Sequence, residues 1–216
     1  MNHSTITAEQ ESAIAAMLSK MPNLPSGIGT EESACSIAAI NLALTGRLTD
    51  EIPGCMSLVI GKWIIKVQDL APADMRNSER WRRLLPLAAG TGRGLDLERS
   101  SVALDWMWSV VLVQLQPLAE KRGFGESWLK MCELRTPAAA YDCASACRFA
   151  AAGCVAATAS AAASDYAASA SDSVSAFAAA TAAAADFWHS VDPCGCLERM
   201  ISLSEGDRNE HRTANH

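Results

Sequence analysis

Between Ala138 and Ala185 about half of the residues are alanine, and no other stretch of this 216-residue chain restricts its fold as strongly. Alanine has no side-chain entropy to lose and is the best helix former, so the tract reads as helix rather than coil. Laid out in elevens, Val155, Tyr166, Phe177 and Trp188 fall in one column among small neighbours. Eleven residues make three helical turns, which keeps the large side chains on one edge and lets neighbouring backbones approach closely elsewhere. An unbroken helix over the tract would reach roughly 70 Å, longer than the rest of the chain can cover. A break is therefore expected in "SDYAASASDS", where Ser164, Asp165, Ser171, Asp172 and Ser173 favour caps over helix interiors, with Gly153 as a second place. The tract is expected to form a hairpin.

The rest of the chain alternates helical patterns with Pro- and Gly-containing breaks. Ala8 to Met21 reads as an amphipathic helix ended by "PNLPSG". In "TEESACSIAAINLALTG", Thr30 is the expected cap, Glu31 and Glu32 occupy the first turn, and Gly46 closes the C-terminus. Met56, Val59, Ile60, Trp63, Ile64 and Val67 follow the spacing of a helix face turned to a core. A short helix from about Ser78 to Leu87 is expected despite Pro86. A longer one runs from Leu95 to about Ala119, bearing Leu104, Trp108, Val111 and Leu115 and bent in its last turn by Pro117. "ESWLKMCEL" and "VDPCGCLERMISL" add short helices, and the polar end "SEGDRNEHRTANH" reads as a disordered tail.

The reading is all-α: a tryptophan-rich helical bundle head packed against an alanine-rich helical hairpin. Its segments are an N-terminal helix and linker at 1–29, the head at 30–136, the hairpin with a closing helix at 137–203, and the tail at 204–216. Trp63, Trp81, Trp106, Trp108 and Trp128 lie on apolar helix faces and are expected to anchor the core.

A formal charge of −6 and a pI near 5.2 argue against a surface that neutralises phosphate backbones. Arginines gather between Arg76 and Arg99, but Asp74, Glu79, Asp96 and Glu98 lie among them, so nucleic acid is not expected as a partner. The N-terminus has neither the basic start nor the apolar run of a signal peptide, and "VALDWMWSVVLVQLQ" is too short to span a membrane and carries Asp105. A cytoplasmic location with no membrane partner follows as an expectation. The eight cysteines are then expected to be mostly thiols.

Two glycine-rich loops are the candidate ligand site. "PSGIGTEES" and "AAGTGRGLDLE" each place glycines ahead of an expected helix, where free N–H groups and the helix dipole can hold an anion. Ser26, Gly27, Gly29 and Thr30 would line one loop, Thr91, Gly92 and Arg93 the other, together forming a phosphate or carboxylate pocket. Neither loop has the Gly-Lys-Ser/Thr ending of a phosphate-binding P-loop, and no strand is expected before either.

Other chemistries have less support. Cys143 and Cys147 lie at i, i+4, Cys154 follows two turns on, and Cys194 and Cys196 form a Cys-x-Cys, but no CxxC pair is present and no metal is expected. Cys35 near a helix start would have a lowered pKa, with His189 the one histidine outside the chain ends to serve as its base. Asp50, Glu51, Asp69 and Asp74 read as capping or solvated carboxylates. No catalytic residue and no cofactor is assigned.

Two resemblances can be stated. The stretch from Leu24 to Arg93, "LPSGIGTEESACSIAAINLALTG" through "WRRLLPLAAGTGR", resembles a group of bacterial and phage proteins that join such a head to an alanine-rich tail ending in a "DPCG"-like turn. That resemblance implies no activity. The tail is similar in composition to alanine-rich helical proteins designated immunity proteins, with no residue-level motif. The expectation for function is a non-enzymatic interaction protein, immunity- or inhibitor-like, that binds another protein or a second copy of itself. The alternative is binding, sequestration or hydrolysis of a nucleotide-like or phosphate ligand at the two glycine loops.

Overall fold

The computed structural model describes residues 6–136, 138–140, 142–143 and 185–204. The alanine-rich hairpin, its break and the column of Val155, Tyr166 and Phe177 lie outside the described residues, as do Gly153, Cys147, Cys154 and the polar tail beyond Ser204. The fold is all-α. Among the described residues the one β pairing is a two-residue antiparallel hairpin, with Gly29 opposite Ala34 and Thr30 opposite Ser33. No helix among the described residues is long and apolar enough to cross a membrane.

The described residues divide into two compact units, the first running to Val102 and resuming at Asp192, the second running from Ala103 to Val191. These limits differ from those expected from composition. The unit boundary falls inside a helix of the expected head, and the closing helix belongs with the N-terminal residues.

In the first unit, α1 (Ala8–Lys20) opens with a capping box in which Thr7 and Gln10 satisfy each other's backbone N–H. The hairpin β1 (Gly29–Thr30) and β2 (Ser33–Ala34) leads into α2 (Ser36–Thr45), which is buried from Ser36 to Leu42 and ends at the left-handed Gly46. A helix apolar on every side needs neighbours all round. It packs against α1, α3 (Leu58–Leu70) and α5 (Glu79–Ala89), with the single turn α4 (Ala73–Arg76) between the last two.

α3 buries Ile60, Trp63, Ile64 and Val67, the face that the spacing predicts. α5 buries Trp81, Leu84, Leu85 and Ala88, and its Trp81 ring lies 6.1 Å from that of Trp63. Four polar side chains that enter this core, those of Trp81, Ser36, Gln68 and Asn41, are hydrogen-bonded. Trp81 Nε1 donates to Ser36 Oγ at 3.0 Å, Ser36 N donates to Gln68 Oε1 at 2.9 Å, and Asn41 Nδ2 donates to the carbonyls of Thr49 and Glu51. The closing helix, α11 (Pro193–Ser202), packs against α3 and α5.

The expected long helix from Leu95 to Ala119 is interrupted. α6 (Asp96–Trp106) gives way to a π-helical turn at Met107–Val111, then to α7 (Leu112–Gln114) and α8 (Gln116–Lys121). Pro117 cannot donate to the carbonyl four residues back, so regular hydrogen bonding fails near it. The second unit contains that turn, α7, α8, α9 (Gly125–Leu134) and α10 (Ala185–Val191). Trp106 Nε1 donates to Val191 O at 2.7 Å and Trp128 Nε1 to Leu112 O at 2.9 Å.

Candidate functional site

The structure places the two glycine loops at opposite ends of α3, whose 13 residues span about 19 Å. At the C-terminal end, Gly27 N donates to Asp69 Oδ1 at 3.0 Å and Gln68 Nε2 donates to Pro25 O at 2.8 Å. At the N-terminal end, Ser57 N donates to Thr91 Oγ1 at 3.1 Å and Gly92 N to Cys55 O at 2.7 Å. A shared pocket lined by both loops therefore does not form.

In both loops the central glycine amide, Gly27 N or Gly92 N, is taken by the chain itself. Gly29 and Thr30 belong to β1, so the first loop opens a hairpin and not a helix, and Thr30 does not cap α2. Its hydroxyl donates to Glu32 Oε2, and Cys35 takes the capping position, its Sγ accepting from Ala38 N at 3.4 Å. Gly29 has φ +76°, and a Cβ there would run into Ser33 O, so the hairpin turn explains this glycine without a ligand. Ser26 and Gly27 are exposed beside it.

The second loop presents carbonyls to a cation. Arg99 donates from Nη1 to Gly92 O at 2.8 Å, from Nη2 to Thr91 O at 2.9 Å and from Nε to Met200 O at 3.2 Å. The anion that the nearby helix start favours is already supplied by the chain. Asp96 accepts from Ser57 Oγ and from Leu58 N at the first turn of α3. Arg93, the expected anion partner, is exposed, and its carbonyl accepts from Asp96 N.

Cys35 also departs from expectation. Burial pushes its thiol pKa up and the Asp50 and Asp69 carboxylates add to the rise, outweighing the lowering by the Ala38 and Ile37 amides. Cys35 belongs to the first unit and His189 to the second. Burial likewise raises Cys132 to about 12 and Cys194 to about 11. Such thiols stay protonated at neutral pH and are poor nucleophiles. Among the described residues no three His, Cys, Asp or Glu side chains are grouped to hold a metal ion.

The open space in the first unit lies along α1 and α5 instead. A cleft of about 600 Å³ runs between them, with Ser12, Ala15 and Ser19 on α1 and Glu79, Arg83 and Leu87 on α5. Arg82 fixes its far end, donating from Nη1 to the carbonyls of Leu18 and Met21 at 2.6 and 3.1 Å and from Nη2 to Asn77 Oδ1 at 3.0 Å. The guanidinium thus stops α1 at its C-terminus, and partial burial lowers its pKa. A second cavity of about 440 Å³ adjoins the cleft, sharing Glu11, Pro86 and Leu87 with it.

None of these cleft residues stands out in the sequence as a site. Glu79, Arg83 and Leu87 fall at i, i+4 and i+8, a stripe that reads as an ordinary solvated face until α1 is placed beside it. Compared with known proteins, the chain matches no family model, no curated protein and no solved structure.

Proposed function

We propose that the protein works by binding, immunity- or inhibitor-like, and that the α1–α5 cleft receives an amphipathic segment of another protein. The observation that carries this reading is an apolar floor of Ala15, Leu18 and Pro86 open between two helices. Small side chains at Ser12, Ala15 and Ser19 let a third backbone come close, as in helix-in-groove recognition. Leu87, 43% exposed on the facing edge, offers an apolar contact, and exposed Arg83 adds a positive charge to that edge, one that also acts on Glu198. A cytoplasmic setting suits the free thiols of the described cysteines. The anion-binding alternative draws less support, because the Gly27 amide is taken by Asp69 and the Gly92 amide by the Cys55 carbonyl.

Site-directed photocrosslinking in the native host tests the reading. A photoreactive residue at Ser12 is expected to trap one stoichiometric protein, a probe at exposed Lys62 on α3 to trap none, and Leu87→Glu to abolish the product. Equal labelling from both positions, or none from Ser12, overturns it.

A further inference from the structure

The cavity beside the cleft differs from it in chemistry. Leu87, Leu95, Ile201 and Leu203 give it apolar walls, and two opposite charges line it, Glu11 and Arg99. The Glu11 side chain has no hydrogen bond or ion pair among the described residues, because Gln10 and not Glu11 completes the cap of α1.

Arg99 is 2% exposed, and a guanidinium that deep in a protein is costly unless its donors are used. Its three short hydrogen bonds go to backbone carbonyls and a further N–H is turned to Asp96, which leaves one of the five guanidinium N–H groups over. The carboxylate paired with it, Asp96, stands 3.7 Å from Nη1 and is already engaged by Ser57 and Leu58.

Charge decides which ligand fits. Asp96 and Glu98 both act on Arg99, so a simple anion entering the cavity meets these carboxylates and Glu11 as well as the guanidinium. A simple cation would meet Arg99. A molecule carrying both charges can place its carboxylate toward Arg99 and its ammonium toward Glu11. The leucine and isoleucine walls call for an apolar body between or beside them, and about 440 Å³ lies within the range of small-molecule pockets.

We propose that this cavity binds a small zwitterion with an apolar body, of the chemical class of the hydrophobic amino acids. The site borders the docking cleft at Glu11, Pro86 and Leu87, but its occupancy is measured with small molecules alone, so either reading can fail without the other.

Isothermal titration of the full chain at pH 7 with L-phenylalanine, phenethylamine and 3-phenylpropanoate tests it, because the three share one ring and differ in charge. Phenylalanine is expected to bind at least about tenfold more tightly than either single-charge analogue, a difference of one ion pair. Glu11→Gln, a change on the outer part of α1 that leaves the capping box intact, is expected to remove that advantage over 3-phenylpropanoate. Leu203→Trp, which fills the half-buried wall, is expected to abolish binding while circular dichroism is unchanged. Absence of binding by all three probes, equal binding of the three, or an unaltered phenylalanine affinity in Glu11→Gln overturns the proposal.

Discussion

Asp192 has φ 42°, a left-handed angle that side chains other than glycine seldom adopt, and its carboxylate explains why the angle is kept. From there Oδ1 accepts from Gly195 N at 3.1 Å and from Arg80 Nη1 at 2.7 Å, starting α11 and tying it to α5. A Cβ on Gly195 would collide with Oδ2, so the glycine of "DPCG" is required by the cap itself. Arg80 also donates from Nε and Nη2 to Glu198 at 2.9 and 2.7 Å. That pairing lowers the Glu198 pKa below its ordinary 4.5. A carboxylate with a depressed folded pKa stabilises the fold fully above its unfolded value and loses that contribution as pH falls through the folded one. Glu198→Gln is therefore expected to lower Tm near neutral pH and to converge with the native chain as the pH drops below about 4.5. The neutral-pH loss is expected to stay under about 1 kcal/mol, because both side chains are more than a third exposed. Thermal melts of both proteins across the acid range check it, and parallel curves would contradict the assignment.

At the scale of elements, the π-helical turn is the feature to explain. It carries Trp108, buried with Nε1 unpartnered among the described residues, between Trp106 and Trp128, whose ring N–H groups both reach backbone carbonyls. Trp→Phe at either site removes similar apolar volume, so the difference between sites isolates the hydrogen bond. Trp128→Phe takes a donor from the Leu112 carbonyl, whereas Trp108→Phe deletes a buried N–H that has no acceptor. Trp128→Phe is thus expected to be more destabilising, by about 1 kcal/mol. Urea denaturation followed by circular dichroism measures this, and equal costs would mean that the turn holds Trp108 by something other than packing. The regular elements were legible where apolar spacing was strict, as over Ile60, Trp63, Ile64 and Val67. The hairpin at Gly29–Ala34 was not, because "TEES" also matches a helix start and only the pairing of two short segments distinguishes the two.

Over the whole molecule, composition and contact divide the chain in different places. Composition changes near Pro137, but the chain returns to its N-terminal unit at Asp192, where Leu197 and Met200 are fully buried against it. The closing helix is a structural part of the first unit, although 89 residues separate Val102 from Asp192 in the chain. Leu197→Ala is expected to destabilise the first unit by about 2–5 kcal/mol, the cost of a core truncation. Leu129→Ala, at a site 48% exposed, is expected to stay within about 0.5 kcal/mol. Chemical denaturation of both variants compares them, and a small loss for Leu197→Ala would mean that α11 docks weakly.

The sequence by itself determined that this chain is helical, which apolar stripes and which tryptophans turn inward, and where Gly46 ends a helix, since each follows from local propensity and spacing. It also marked both glycine loops as sharp turns. Only the tertiary structure decided what those turns face. Placing Asp69, Cys55 and Arg99 against them engages the Gly27 and Gly92 amides and the Thr91 and Gly92 carbonyls internally, while bringing α1 beside α5 leaves a cleft that no residue announces in sequence and a charged cavity of which the sequence marks only the glycine-loop wall at Thr91. A turn is a property of a few neighbouring dihedrals, but a vacancy is a property of the surfaces around it, and those come from residues far apart in the chain.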